Sequence, residues 1–103
     1  MTIQLEQKRL DIELGIANRL RAGKSVRVGT NTMLDKAEVI DAMYELDPDR
    51  YTTAVQTLSC VEGSDVEIAR EALQRLWDDA VVCLLQRYGK VIYEQARREV
   101  GNE

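Results

Sequence analysis

The sequence predicts an all-α protein, a small bundle of four to five helices built around a long C-terminal helix. Three observations carry that expectation. Between Ser64 and Glu99, Val66, Ala69, Leu73, Leu76, Ala80, Leu84, Tyr88 and Val91 recur at three- and four-residue steps, which sets them along one face of a 3.6-residue helix. Asp47-Pro48-Asp49 is a strong helix-restart signal, with Asp47 as N-cap and Pro48 as first helical residue. The length of 103 residues, with 45% hydrophobic and 31% charged side chains, fits one modest core, so residues 1–103 read as a single helical domain. Phenylalanine is absent, so that core is aliphatic, with Trp77 and four tyrosines adding bulk.

The first helix is expected near Ile3 to Arg21. Its apolar residues fall into two sets on opposite sides, Ile3, Leu10, Leu14 and Ala17 against Leu5, Ile12, Ile16 and Leu20. A helix with two apolar sides lies between two layers, or between its own core and a partner chain, which points to a homodimer. The alternation Leu10, Ile12, Leu14, Ile16 also suits a strand, but the flanking Gln, Glu, Lys and Arg residues are strong helix formers.

Gly23 within Ala22-Gly23-Lys24-Ser25 is a fitting helix stop. A short extended segment follows at 25–28, through Val26-Arg27-Val28, and no strand elsewhere in the chain is evident as its partner; it reads as an extended connection or as a strand paired across a dimer. Gly29 to Thr32 reads as loop. The second helix is expected from Leu34 to Leu46, capped by Thr32 or Asn31, with Ala37, Val39, Ile40, Met43 and Tyr44 on one side and Asp35, Glu38, Asp41 and Glu45 on the other. The third carries Tyr51, Ala54, Val55, Leu58 and Cys60 or Val61 toward Glu62-Gly63.

Ser64 is a good N-cap for the long helix, and Asp65 and Glu67 suit the positive end of its dipole. From Ala80 to Leu85 no polar side remains, so this run is expected to be covered all round; its six residues are far fewer than the ~20 a membrane span needs. Unbroken to Glu99 the helix would be roughly 54 Å long at ~1.5 Å per residue. A domain of this size has a radius of gyration of about 13 Å. A break at Tyr88-Gly89 is therefore expected, giving helices over 64–88 and 90–100.

Much chemistry is excluded by composition. There is no histidine, hence no usual general base, zinc ligand or catalytic triad. Cys60 and Cys83 are isolated and read as buried free thiols; no metal site and no cofactor is expected. Gly23-Lys24-Ser25 resembles the tail of a phosphate-binding loop but lacks the earlier glycine and the strand leading in. Asp78 and Asp79 are neighbours on a helix, point about 100° apart and read as solvated surface. The expectation is a protein that is not an enzyme. Met1 to Leu5 shows no secretory pattern, and the cysteines no paired spacing, so a cytoplasmic location is expected.

Charge divides sharply along the chain. Residues 1–30 hold six basic and three acidic side chains, whereas residues 31–65 hold two basic and eight acidic. One reading makes Asp35, Glu38, Asp41, Glu45, Asp47 and Asp49 a surface for a partner protein. The rise between successive carboxylates on the ridge, about 4.5–6 Å, is comparable with the charge spacing of a nucleic-acid strand. The partner would be a protein with a basic nucleic-acid-binding groove, and the chain an antitoxin, immunity protein or phage-borne inhibitor. The alternative reading has Arg19, Arg21, Lys24 and Arg27 contact nucleic-acid phosphates. The net charge of −4 works against direct nucleic-acid binding, and no aromatic residue is interleaved for stacking. The preferred expectation is a small acidic protein-binding regulator or inhibitor, self-associating, with no membrane contact.

Overall fold

A computed structural model of the chain describes residues 2–60 and 64–101. It is 83% helical, an all-α bundle of five helices with one short two-stranded sheet among the described residues. In chain order the elements are α1 (Thr2–Arg21), β1 (Val26–Val28), β2 (Thr32–Leu34), α2 (Lys36–Leu46), α3 (Pro48–Cys60), α4 (Ser64–Arg87) and α5 (Gly89–Gly101). They group into two compact units, one of Met1–Lys36 with Leu85–Glu103 and one of Ala37–Leu84.

In the first unit α1 packs along α5 and also touches β1. Its buried side chains are Ile16 and Leu20 from α1, Val28 and Leu34 from the strands, and Ile92 and Ala96 from α5. Of the two apolar sides of α1, the one holding Leu5, Ile12, Ile16 and Leu20 is thus turned inward. Ile3, Leu10 and Leu14 lie on the other side and are 84%, 47% and 60% exposed.

The C-terminus of α1 forms the glycine stop that the sequence suggests. Gly23 takes φ +78°, its amide donates to the Leu20 carbonyl at 3.0 Å, and the Lys24 amide donates to the Arg19 carbonyl at 2.9 Å. These two bonds satisfy carbonyls that the helix end would otherwise leave open.

The segment 25–28 is not a solitary strand. Val26–Val28 pairs antiparallel with Thr32–Leu34, in the register Val26 with Leu34, Arg27 with Met33 and Val28 with Thr32. Residues Thr32 to Leu34, expected as loop and helix start, are therefore strand, and α2 begins two residues later than Leu34. Neither Thr32 nor Asn31 caps it; Asp35 is the residue immediately before the helix. The reversal is made possible by Gly29 at φ +70°, and a Cβ on Gly29 would stand 2.5 Å from Val91 Cγ1 of α5. Glycine is needed there twice over, for its backbone conformation and for the room the valine leaves.

In the second unit the buried residues are Val39, Ala42 and Met43 of α2, Ala54 of α3, and Ala69, Leu76, Ala80, Val81 and Leu84 of α4. The three- and four-residue rhythm of α4 is borne out. Complete cover of Ala80 to Leu85 is not: Val82 is 52% exposed, because it projects away from the stripe that Ala80, Val81 and Leu84 share. Tyr44, expected on the apolar side of α2, is likewise exposed, the buried stripe having rotated onto Ala42.

The long helix breaks as expected, with Tyr88 as a turn between α4 and α5. Gly89 does not end α4 through a left-handed conformation; it is the first residue of α5, and the Ile92 amide donates to the Tyr88 carbonyl at 3.0 Å. The expected end of the third helix at Val61 to Gly63, and the side chains of Cys60 and Ser64, lie outside the described residues.

Replacing Gly29 by alanine should cost about 2–5 kcal/mol, combining about 1–2 for the left-handed backbone with about 1–3 for overpacking against Val91. A double-mutant cycle with Val91→Ala, read from urea unfolding midpoints, should show coupling of about 1 kcal/mol or more. Additive losses would show that the approach of Gly29 to Val91 is not the constraint.

Candidate functional site

The acidic surface is built mainly by α2 and the start of α3. Glu38, Asp41 and Glu45 are exposed on α2, opposite the buried Val39, Ala42 and Met43. Asp49 lies exposed in the first turn of α3. The second unit to which these residues belong carries eleven acidic and three basic side chains, a balance of −8. Asp35 falls in the first unit, so the six sequence-selected carboxylates do not all share one compact body.

Asp47 has a different task. Its Oδ1 accepts from the Arg50 amide at 3.1 Å, its carbonyl accepts from the Tyr51 amide at 3.0 Å, and its own amide donates to the Met43 carbonyl at 3.2 Å. The residue thus closes α2 and caps α3, with Arg50 Nε 3.7 Å from Oδ2. Pro48 follows at the first helical position, where its missing amide proton leaves nothing unsatisfied.

Two tyrosines belong to this surface and were not selected by charge. Tyr44 and Tyr51 meet edge to face, with ring centroids 6.1 Å apart and planes at 80°. With Ile40, Asp41 and Glu45 they line an open groove of about 380 Å³. Tyr44 is 56% exposed. Its place three residues beyond Asp41 and next to Glu45 is the signal that could have found it.

The basic loop is put to structural use. Arg19 Nε and Nη2 donate to the Ser25 carbonyl at 3.4 and 3.3 Å, and Arg27 Nη1 donates to the Thr30 carbonyl at 3.5 Å. Arg21 also has an interaction of its own. The amides of Gly23 and Lys24 are occupied by the end of α1, so Gly23-Lys24-Ser25 does not offer the free backbone donors that a phosphate-binding loop requires. Lys24 extends into solvent beside it.

Other sequence candidates are surface features. Asp78 accepts from Gln74 Nε2 at 3.1 Å along α4, and Asp79 is exposed. Cys83 is a free thiol and half-buried. Among the described residues no group of three or more Cys, Asp or Glu side chains could hold a metal ion, and no helix is long and apolar enough to cross a membrane.

Capping and ridge carboxylates should separate in stability. Asp47→Ala should lose about 1 kcal/mol, whereas Asp41→Asn should stay within about 0.5 kcal/mol of the parent, both from chemical denaturation. Equal losses would show that Asp47 is not acting as the cap of α3.

Compared with family models, with curated proteins and with solved structures, the chain matches none of them at a significant level.

Proposed function

We propose that this chain is a small, non-catalytic, cytoplasmic regulator or inhibitor that acts by presenting the acidic surface of α2 and the start of α3 to a basic surface on another protein. The observation that carries the reading is the exposed Tyr44, which stacks edge to face on the half-buried Tyr51 and shares a groove with Asp41 and Glu45. Tyrosine offers a large amphipathic contact area at low entropic cost, and interface hot spots are enriched in it. Carboxylates around it steer a cationic partner and raise the association rate more than the affinity. A basic nucleic-acid-binding groove is the kind of surface that would accept such a ridge, which fits an antitoxin, immunity protein or phage-borne inhibitor. Asp49 extends the surface, and Asp47 contributes to it while holding the two helices in register.

Self-association belongs to the same proposal. The outward side of α1 exposes Ile3, Leu10 and Leu14 on a single row, an apolar stripe that a second copy would cover.

Two experiments test the reading. The triple charge reversal E38K, D41K and E45K, with Y44A as a second variant, should lose the cationic proteins that the parent captures from its source cell; an unchanged set of captured proteins rejects the acidic surface. Light scattering at micromolar concentration should give a mass above the 11.7 kDa of one chain, falling to that value in L10K/L14K. A parent that already runs at one chain rejects self-association.

A further inference from the structure

The whole-chain charge of −4 conceals a basic body. The unit formed by α1, the hairpin and α5 carries eleven basic and seven acidic side chains, a balance of +4, while the acidic excess lies entirely in the other unit. Within the basic unit an open groove of about 850 Å³ runs between the hairpin turn, Val28 to Thr32, and α5, where Arg97 and Arg98 line it together with Glu94. A second groove of about 420 Å³ shares Gly29 and Arg98 with the first and adds Arg27, Gln95 and Glu99. Arg98 thus lines both grooves, with Arg97 beside it on the first and Arg27 on the second.

We infer that this double groove between the hairpin turn and α5 is a binding site for the phosphate backbone of a nucleic acid, with Arg97 and Arg98 as its principal contacts.

Four features support that assignment. Arg97 and Arg98 are exposed, and among the described residues neither forms an ion pair or hydrogen bond within the protein, so their donors face solvent. Arg19 and Arg27, by contrast, already hold backbone carbonyls. The wall opposite α5 is held near it where Gly29 sits against Val91, so the turn and the helix are close enough to share one ligand. The lining is polar on the turn side, where Thr30, Asn31 and Thr32 supply hydroxyl and amide donors of the kind that position phosphates. Finally, the site is open and runs through two connected grooves, a shape that follows a strand rather than enclosing a small anion. No aromatic ring lines either groove, so bases are not stacked, and recognition would be of the backbone without sequence preference. Glu94 and Glu99 stand beside the arginines and keep the number of phosphate contacts small.

This inference stands apart from the acidic-surface proposal, since it uses residues of the other unit. Fluorescence anisotropy of a labelled duplex and a labelled single strand, titrated with the full chain between about 25 and 200 mM salt, tests it. The parent should bind at low salt. R97Q/R98Q should weaken binding at least tenfold at the lowest salt and lessen the slope of log K against log salt by about two. E94Q should tighten binding, and K24Q, outside both grooves, should change it less than threefold. No binding by the parent at the lowest salt overturns the inference, as does a K24Q loss equal to that of R97Q/R98Q. Light scattering in the same buffers decides against a rival occupant: if R97Q/R98Q instead lowers the protein's own mass and leaves oligonucleotide binding unchanged, the groove holds the acidic unit of a second copy and the inference falls.

Discussion

The turn at Tyr88 divides one long apolar stripe between two cores. On its N-terminal side Ala69, Leu76, Ala80 and Leu84 are buried in the unit of α2, α3 and most of α4; on its C-terminal side Ile92 and Ala96 are buried where α5 lies along α1. Because Gly89 opens α5 instead of ending α4 in a left-handed conformation, the interruption occupies a single residue and both helices keep their backbone bonding close to it. The hairpin depends on the same event. Val91, in the first turn of α5, is the residue against which Gly29 is pressed, and both line the groove that Arg97 and Arg98 border.

Several residues that look chemical in isolation are occupied with the ends of helices. Gly23 and Lys24 complete α1, Asp47 closes α2 and opens α3, and Arg19 holds the loop that follows α1 through the Ser25 carbonyl. A helix end leaves four amides or four carbonyls without partners, and in a chain this short the polar side chains nearest to hand supply them. Among the described residues, Asp41 on α2 and Arg97 and Arg98 toward the end of α5 are not engaged in this way. Function is assigned to these because local structure makes no demand on them.

The helices were legible in the sequence because their signals are local: the rhythm of α4, the Asp47-Pro48 restart, the glycine after Arg21. The hairpin was not, since β2 is only three residues long and Leu34 continues naturally into the apolar pattern of α2. Its turn lies close against Val91 of α5, a tertiary contact that no short window contains. The acidic ridge could be read from helical spacing, but not the tyrosine pair inside it, because a wheel ranks Tyr44 with the apolar residues and cannot show that the buried stripe passes through Ala42 instead. The arginines of α5 are hidden for a similar reason. Charge counted along the chain dilutes them among the acidic residues nearby, and only the grouping of α5 with α1 reveals a basic body.

The basic unit is assembled from both ends of the chain, with Ala37–Leu84 inserted between them. Its closure joins segments far apart in sequence, whereas the inserted unit is one continuous stretch. Loop-closure entropy makes such distant pairings slow unless the intervening chain has already contracted. During synthesis α1 and the hairpin emerge first but have no α5 to pack on, so their apolar residues wait while the inserted unit can form behind them. The connectivity thus sets one constraint on assembly: the inserted stretch has all of its own residues together before α5 is available to α1 and the hairpin, so the groove at α5 cannot form until both flanking segments have been made.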